Sequence, residues 1–291
     1  MSPWILAIRP KTLPAAIAPV LIGTAMAWGD GTFHALSAFV CLVTALLIQI
    51  GTNLANDYFD FKKGADVHRV GPLRVTQAGL IKPQQVLLSM IVVFIFAALC
   101  SGYLVDRAGL TIAIIAAAAI ASGIAYTAGK NALAYLGLGE LFVFIFFGPV
   151  AVGGTYYVQA LDINWAIVLA GLAPGFLSCA ILVVNNLRDI EGDRKVGKMT
   201  LAVRFGREFA LNEYLFCILA TALCPFLVFL ITRDHVGMLY ACLVGFVAIP
   251  TVRIVMTNSD AGALNSALAA TGRWLLLYSV LFSIGWIVCS H

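Results

Sequence analysis

Charge is what this chain has least of: of 291 residues only 11% are Asp, Glu, Lys or Arg, while 62% are hydrophobic. A soluble domain carries roughly 25% charged residues, which excludes a soluble globular fold and equally a membrane anchor attached to a soluble domain. Histidine is scarce and scattered (His34, His68, His235, His291), and no role is assigned to it. The seven cysteines all fall inside apolar runs, none forms Cys-x-x-Cys and none has a histidine at metal spacing. They read as small buried apolar side chains, and a zinc site is excluded. A cleavable signal is not expected, because the N-terminus runs through Arg9 and Lys11 directly into apolar sequence. A net charge of +4 is too small and too dispersed to suggest nucleic acid. The lipid bilayer is the expected surrounding.

What the chain does have is apolar length. Runs of about twenty residues, long enough to span a bilayer, fall at 13–29, 35–56, 84–104, 109–128, 136–157, 165–187, 210–231, 236–256 and 272–290. They predict an all-α polytopic membrane protein with nine transmembrane helices. With the N-terminus placed in the cytoplasm, 16 of the 18 Lys and Arg fall on the inside and only Arg107 and Arg233 outside, which sets the orientation as N-in and C-out. Two inside loops are long, at 57–83 and 188–208, and function should concentrate in them. Arg69-Val-Gly-Pro-Leu-Arg-Val-Thr76 in the first echoes Lys195-Val-Gly-Lys-Met-Thr200 in the second. The expected layout is a single domain over 1–291, built of two pseudo-repeated four-helix halves (13–128 and 136–256) and a ninth helix.

Each long loop follows a run that ends in Asn and Asp. On a helix Asn53, Asp57 and Asp60 sit at i, i+4 and i+7, and Asn185, Asp189 and Asp193 at i, i+4 and i+8, in each case roughly one face. Ionisable groups at the edge of a bilayer core are costly and usually serve a site. Two Asp pairs on facing helices offer a ring of hard oxygen donors, suited to Mg²⁺. Carboxylates alone repel a diphosphate, but Mg²⁺ bridges the two. Arg74, Arg188, Arg194, Lys195, Lys198 and Lys130 stand ready to complete the neutralisation. A polar pocket between apolar helices suits a ligand with a charged head and a long hydrocarbon tail. The competing reading of Asp57 and Asp60, a solvated helix end, is weakened by their twin motif. Lys130 also fits a positive-inside anchor, and Glu140 fits the pocket and the interface equally. A few of the aromatic side chains should line the pocket, where a ring face would stabilise a developing allyl cation.

The paired Asp motifs, Tyr126-x-x-x-Lys130 and the nine-run layout resemble the UbiA superfamily of intramembrane prenyltransferases. Arg9-Pro-Lys-Thr-Leu-Pro14, Asn53-Leu-Ala-Asn-Asp-Tyr58, Gly71-Pro-Leu-Arg-Val-Thr-Gln77, Gly137-Leu-Gly-Glu-Leu-Phe142, Asn185-Asn-Leu-Arg-Asp-Ile190 and Gly197-Lys-Met-Thr-Leu-Ala-Val-Arg204 resemble the branch acting on 1,4-dihydroxy-2-naphthoate in menaquinone synthesis. The likeness runs to about Gly206. It implies nine helices around a central cavity with cytoplasmic cap loops, in the bacterial cytoplasmic (inner) membrane. It implies Mg²⁺-dependent transfer of a polyprenyl chain from polyprenyl diphosphate to 1,4-dihydroxy-2-naphthoate, with loss of CO2 and diphosphate, to give demethylmenaquinone. By position, Asp57, Asp60, Asp189 and Asp193 would hold the metal with Asn53 and Asn185. Arg74, Lys130, Lys198 and Arg188 would bind diphosphate, with Arg9 and Tyr126 nearby, and Asp57, Asp189, Lys130 and Arg74 would be the catalytic set. The wider superfamily spaces its first motif Asn-x-x-x-Asp-x-x-x-Asp, whereas here position 61 is Phe and the second acid is Asp60. Another acceptor (4-hydroxybenzoate, homogentisate or haem) and a cation-coupled transporter are the alternative readings.

Overall fold

The computed structural model describes residues 2–65 and 71–288. Arg69, His68, Cys289 and His291, named above, lie outside the described residues. The elements are α1 (Pro3–Ile8), a 3-10 turn (Pro10–Thr12), α2 (Pro14–Gly29), α3 (Ala35–Lys62), α4 (Pro83–Ala108), α5 (Leu110–Ala125), α6 (Gly139–Phe147), α7 (Pro149–Ala160), α8 (Trp165–Lys195) and α9 (Leu201–Thr232). A second 3-10 segment (Val236–Leu243), α10 (Val244–Val247), α11 (Ile249–Thr257) and α12 (Ala261–Val288) complete the described chain, which contains no strand. Among the described residues seven segments are long and apolar enough to cross a membrane, and an eighth is the pair α1 with its 3-10 turn and α2, bent by 49°. The ninth expected span corresponds to α5, which is apolar but only 16 residues long. The chain is a multi-pass membrane protein.

The structure corrects the two long loops. Helix α3 continues to Lys62 and α8 to Lys195, so both acidic motifs are helical, and the second connection shrinks to residues 196–200. The reason is burial: the polar residues of these final turns point at other protein groups, which lets the helix outrun its apolar stretch. Thr200 then caps α9 by accepting the Val203 N–H at 3.3 Å. Gly206, with φ 85°, breaks the helix before the apolar part of α9 begins.

The fifth span is broken too. Gly148 leaves helical geometry (φ −114°, ψ −113°) and Pro149 restarts the helix as α7. The backbone there is overlaid by α8: a Cβ on Gly171 would stand 2.7 Å from Pro149 Cα, and one on Gly175 2.9 Å from the Phe144 carbonyl oxygen. Small residues admit this approach, since dispersion rather than water expulsion drives helix packing in lipid. Helix α8 is the hub, touching α2, α6, α7, α9 and α12. At the end of the molecule remote from the acidic motifs, Arg107 Nε donates to the Val158 carbonyl at 2.8 Å and Tyr156 donates to Asp30 at 2.6 Å, tying α4 and α2 to α7.

Helix α12 meets the second 3-10 segment so closely that a Cβ on Gly285 would collide with the Gly237 carbonyl, whereas one on Gly102 in α4 meets nothing within 4 Å. Gly285→Val should therefore lower the melting temperature in detergent and the folded yield. Gly102→Ala should leave both unchanged or raise stability by about 0.5–1 kcal/mol.

Candidate active site

Asp57 is 1% exposed, and both of its oxygens are occupied by backbone. Oδ2 accepts the Val75 N–H and Oδ1 the Thr76 N–H, each at 3.1 Å. The preceding residue reaches the next acidic turn of α3: Arg74 Nη2 donates to Asp60 Oδ2 at 3.0 Å. Asp60 Oδ1 accepts the Tyr135 hydroxyl at 3.3 Å. One carboxylate thus holds the loop and the other holds the cation that the loop delivers. Nearby, Lys63 lies over the Tyr135 ring, 3.9 Å from its centroid. Partial burial pulls its pKa below the usual lysine value, against the opposing pull of Asp60.

On α8 the Arg188 guanidinium grips Asp189 with two bonds, Nε to Oδ1 at 2.8 Å and Nη2 to Oδ2 at 2.6 Å. It also donates to Asn185 Oδ1 at 2.8 Å and to Asn265 of α12 at 2.6 Å. Asp193 Oδ1 pairs with Lys198 at 3.3 Å, while its buried Oδ2 has no hydrogen-bond partner. The neighbouring Asn186 donates from Nδ2 to Glu140 Oε1 at 2.8 Å. Asn53 serves the N-terminal segment, donating to the Ile8 carbonyl at 2.9 Å and to Thr12 Oγ1 at 3.0 Å.

Between these helices lies a cavity of about 340 Å³. Its polar end is lined by Arg9, Asn53, Asn56, Asp60, Arg74, Tyr126, Asn185, Asn186 and Lys198. An apolar shaft continues past Ile48, Ala119, Phe142, Phe146 and Val150 to Val20, Cys41, Leu104, Ile112 and Val158. Cys41 precedes Asp60 by nineteen positions on α3, so the cavity extends for about 28 Å at 1.5 Å per residue.

Several expectations are revised by this geometry. Asp57 does not line the cavity, because its oxygens are spent on the loop. Asp189 and Arg188 do not line it either, because they satisfy each other and brace α8 against α12, and Asp193 reaches it only through its partner Lys198. Lys130 is exposed and borders a separate shallow depression with Phe59, Lys62, Lys63, Gly129, Tyr135 and Val196. The four acids do not close into one ring, and no group of three or more His, Cys, Asp or Glu placed to hold a metal occurs among the described residues. Asp60, Arg74, Lys198, Arg9, Tyr126, Asn53 and Asn185 are brought together. Sequence reasoning missed Asn56, whose Oδ1 accepts the Thr127 hydroxyl at 2.9 Å, and Asn186. The signal was available for Asn56, which sits four residues before Asp60 and so shares its face.

The sequence profile described as the UbiA prenyltransferase family matches residues 16–277. The chain belongs to that family. This UbiA family member is 39% identical, over 97% of its length and 94% of the relative's, to a protein of Escherichia coli K12 named 1,4-dihydroxy-2-naphthoate octaprenyltransferase. A Mycobacterium tuberculosis protein of the same name is 40% identical over 85% of this chain and 82% of its own. Among solved structures, a UbiA homolog from Archaeoglobus fulgidus superposes with TM-score 0.69 at 16% identity, covering 98% of this chain and 99% of that one. The same homolog bound to DMAPP and Mg²⁺ gives TM-score 0.64 at 16% identity, with 95% and 99% covered. At that identity the structural likeness concerns the fold.

Hydrogen bonds to a charged acceptor contribute about 1.5–3 kcal/mol each, so Asp57→Ala should release the loop. Amide hydrogen exchange at Val75 and Thr76, followed in detergent, should accelerate more than tenfold. Asp189→Ala should leave both amides protected.

Proposed function

We propose that this chain transfers a polyprenyl group from its diphosphate to 1,4-dihydroxy-2-naphthoate, with release of diphosphate and CO2. The observation that carries the reading is a cavity in which Arg74, Lys198 and Asp60 at one end give way to an apolar shaft along α3. A diphosphate head and a hydrocarbon tail match those two environments. The naphthoate assignment rests on the relatives named for it, which align with nearly the whole chain.

Arg74 and Lys198 draw the diphosphate head to the polar end. Each is already held by a carboxylate, Asp60 and Asp193, at 3.0 and 3.3 Å, so the cations are positioned before substrate arrives. Dipoles fixed in advance in a site of low dielectric cost no reorganisation when charge develops on the leaving group. The shaft sheathes the tail and keeps water from the allylic carbon while the electron-rich ring attacks it and the C–O bond breaks. The residues fit a hard divalent cation, because the buried Asp193 Oδ2 is an acceptor with no donor, its partner Lys198 lines the polar end, and Asp60 lines the same end. Asp60 and Asp193 would hold Mg²⁺, with Asn53 and Asn185 as further oxygen donors. The ion, when bound, supplies charge neutralisation for the departing diphosphate. Asp57 is reassigned from metal ligand to positioning residue, and Lys130 to the rim. The polar end faces the cytoplasm in the bacterial cytoplasmic membrane, in line with the basic residues gathered there.

Membranes carrying the protein, given naphthoate and prenyl diphosphates of several lengths, should form prenylated product with loss of CO2, as read by mass spectrometry. Asp60→Ala should reduce the rate about 100-fold or more, and Arg74→Ala or Lys198→Ala should raise KM for the prenyl diphosphate. Full activity in Asp60→Ala would sink the assignment. Cys41→Phe fills the far end of the shaft, and should cut turnover of the longest prenyl diphosphate accepted while sparing a short one.

A further inference from the structure

Glu140 of α6 and Asn186 of α8 form a buried pair at the cavity wall. Glu140, in the first turn of α6, is 7% exposed and lies behind the cavity wall, while Asn186 on α8 is 2% exposed and forms part of that wall. The start of α6 is fastened to α8 at two points two turns apart, since Cys179 Sγ donates to the Glu140 carbonyl at 3.2 Å and Asn186 Nδ2 donates to Glu140 Oε1 at 2.8 Å. A carboxylate only accepts, so it dictates which way the amide faces: nitrogen toward Glu140, oxygen away from it. That oxygen, Asn186 Oδ1, is sealed from solvent and has no donor. A buried amide oxygen left unpaired is costly, so a native structure that keeps one calls for an explanation.

The ligands of the cavity differ in what they can offer this oxygen. A prenyl diphosphate brings phosphate oxygens, which accept, and a hydrocarbon tail, which does neither. Lys198 Nζ donates to Asp193 and not to this oxygen, and its remaining N–H groups serve the diphosphate. A hydroxylated aromatic ring brings O–H donors. Resting on the reading that the second substrate is such a ring, we infer that Asn186 Oδ1 receives a hydrogen bond from a ring hydroxyl of the acceptor, and that Glu140 is the positioning residue that keeps the amide oxygen turned toward it. The pair thereby selects acceptors with a hydroxyl at that place and fixes the ring's orientation relative to the allylic carbon. An acceptor lacking the hydroxyl leaves the oxygen unpaired in the complex, which is how a polar site rejects an analogue.

The test uses the full-length protein in nanodiscs with 1,4-dihydroxy-2-naphthoate and its two mono-O-methyl ethers. Asn186→Leu, nearly the same size without an acceptor, should raise KM for the naphthoate about tenfold and leave KM for the prenyl diphosphate unchanged. The wild type should discriminate against one methyl ether by a similar factor, and Asn186→Leu should lose that discrimination. Glu140→Gln, which frees the amide to turn, should shift the acceptor KM in the same direction by a smaller factor, and carries the test if the leucine variant does not accumulate. Unchanged naphthoate KM, equal loss for both substrates, or a change in the Mg²⁺ concentration needed for half activity would each overturn the inference. If the wild type transfers no prenyl group to naphthoate but does so to another hydroxylated ring, the proposed function fails. The Asn186 split is then read with that ring and its methyl ether.

Discussion

The polar end of this protein depends on the two bonds that Asp57 accepts from consecutive backbone amides, Val75 and Thr76. They bring the loop between α3 and α4 down onto the final turns of α3, and the residue just before them, Arg74, is thereby delivered to Asp60. Without that contact the guanidinium would sit on a flexible segment, and holding it against Asp60 would cost conformational entropy at each encounter. With it, the cation is anchored by a backbone that is itself anchored one turn earlier. The same helix end thus does two jobs with two carboxylates, and the jobs cannot be exchanged: Asp57 lies under the loop, while Asp60 borders the cavity.

A similar division governs α8. Burying a charge in this setting is tolerable only if its partner is close and its remaining hydrogen bonds are made. Arg188 meets that demand completely, with a bidentate grip on Asp189 and bonds to Asn185 and Asn265. Its reach to Asn265 ties α8 to α12, so the network braces the helix that forms the far wall of the cavity. Asp193, one turn on, is satisfied on one oxygen only. The incomplete member of the motif holds Lys198, which lines the polar end, and the complete one braces the helix. Unmet polar capacity, rather than the mere presence of a carboxylate, marks where a ligand belongs.

These distinctions set the limit of what the sequence discloses. The apolar runs announce a polytopic helical protein, because twenty residues without charge have few other uses. Paired Asn–Asp motifs and the concentration of basic residues on one side point to a charged ligand at one end of the bundle. Periodicity, however, gives a face and not what that face meets. Asn53, Asp57 and Asp60 share a stripe wide enough to serve three customers: the N-terminal segment, the loop and the cavity. The same holds for Arg188, whose charge is spent inside the fold, and for Lys130, which a turn after α5 carries to the exposed rim. Lengths of charged helix ends were unreadable for a related reason. Propensity does not separate a solvated loop from a helix whose polar side chains are bonded to neighbours, since tertiary partners decide it.

One consequence follows from both ends of the cavity sharing α3. The helix carries Asn56 and Asp60 at the polar end and Cys41 at the apolar end, and it is unbroken in between. An α-helix fixes rise per residue, so the separation of Asp60 from Cys41 along the cavity is a property of one rigid rod, to which Val20, Leu104, Ile112 and Val158 bring four other helices at the apolar end. The opposing wall is different: α6 and α7 are broken at Gly148, where the chain is pressed against Gly171 and Gly175 of α8. The spacing along α3 is therefore fixed, while the broken span shapes the facing wall. A larger side chain at Cys41 shortens the apolar end, while one changed around Gly148 alters the bore.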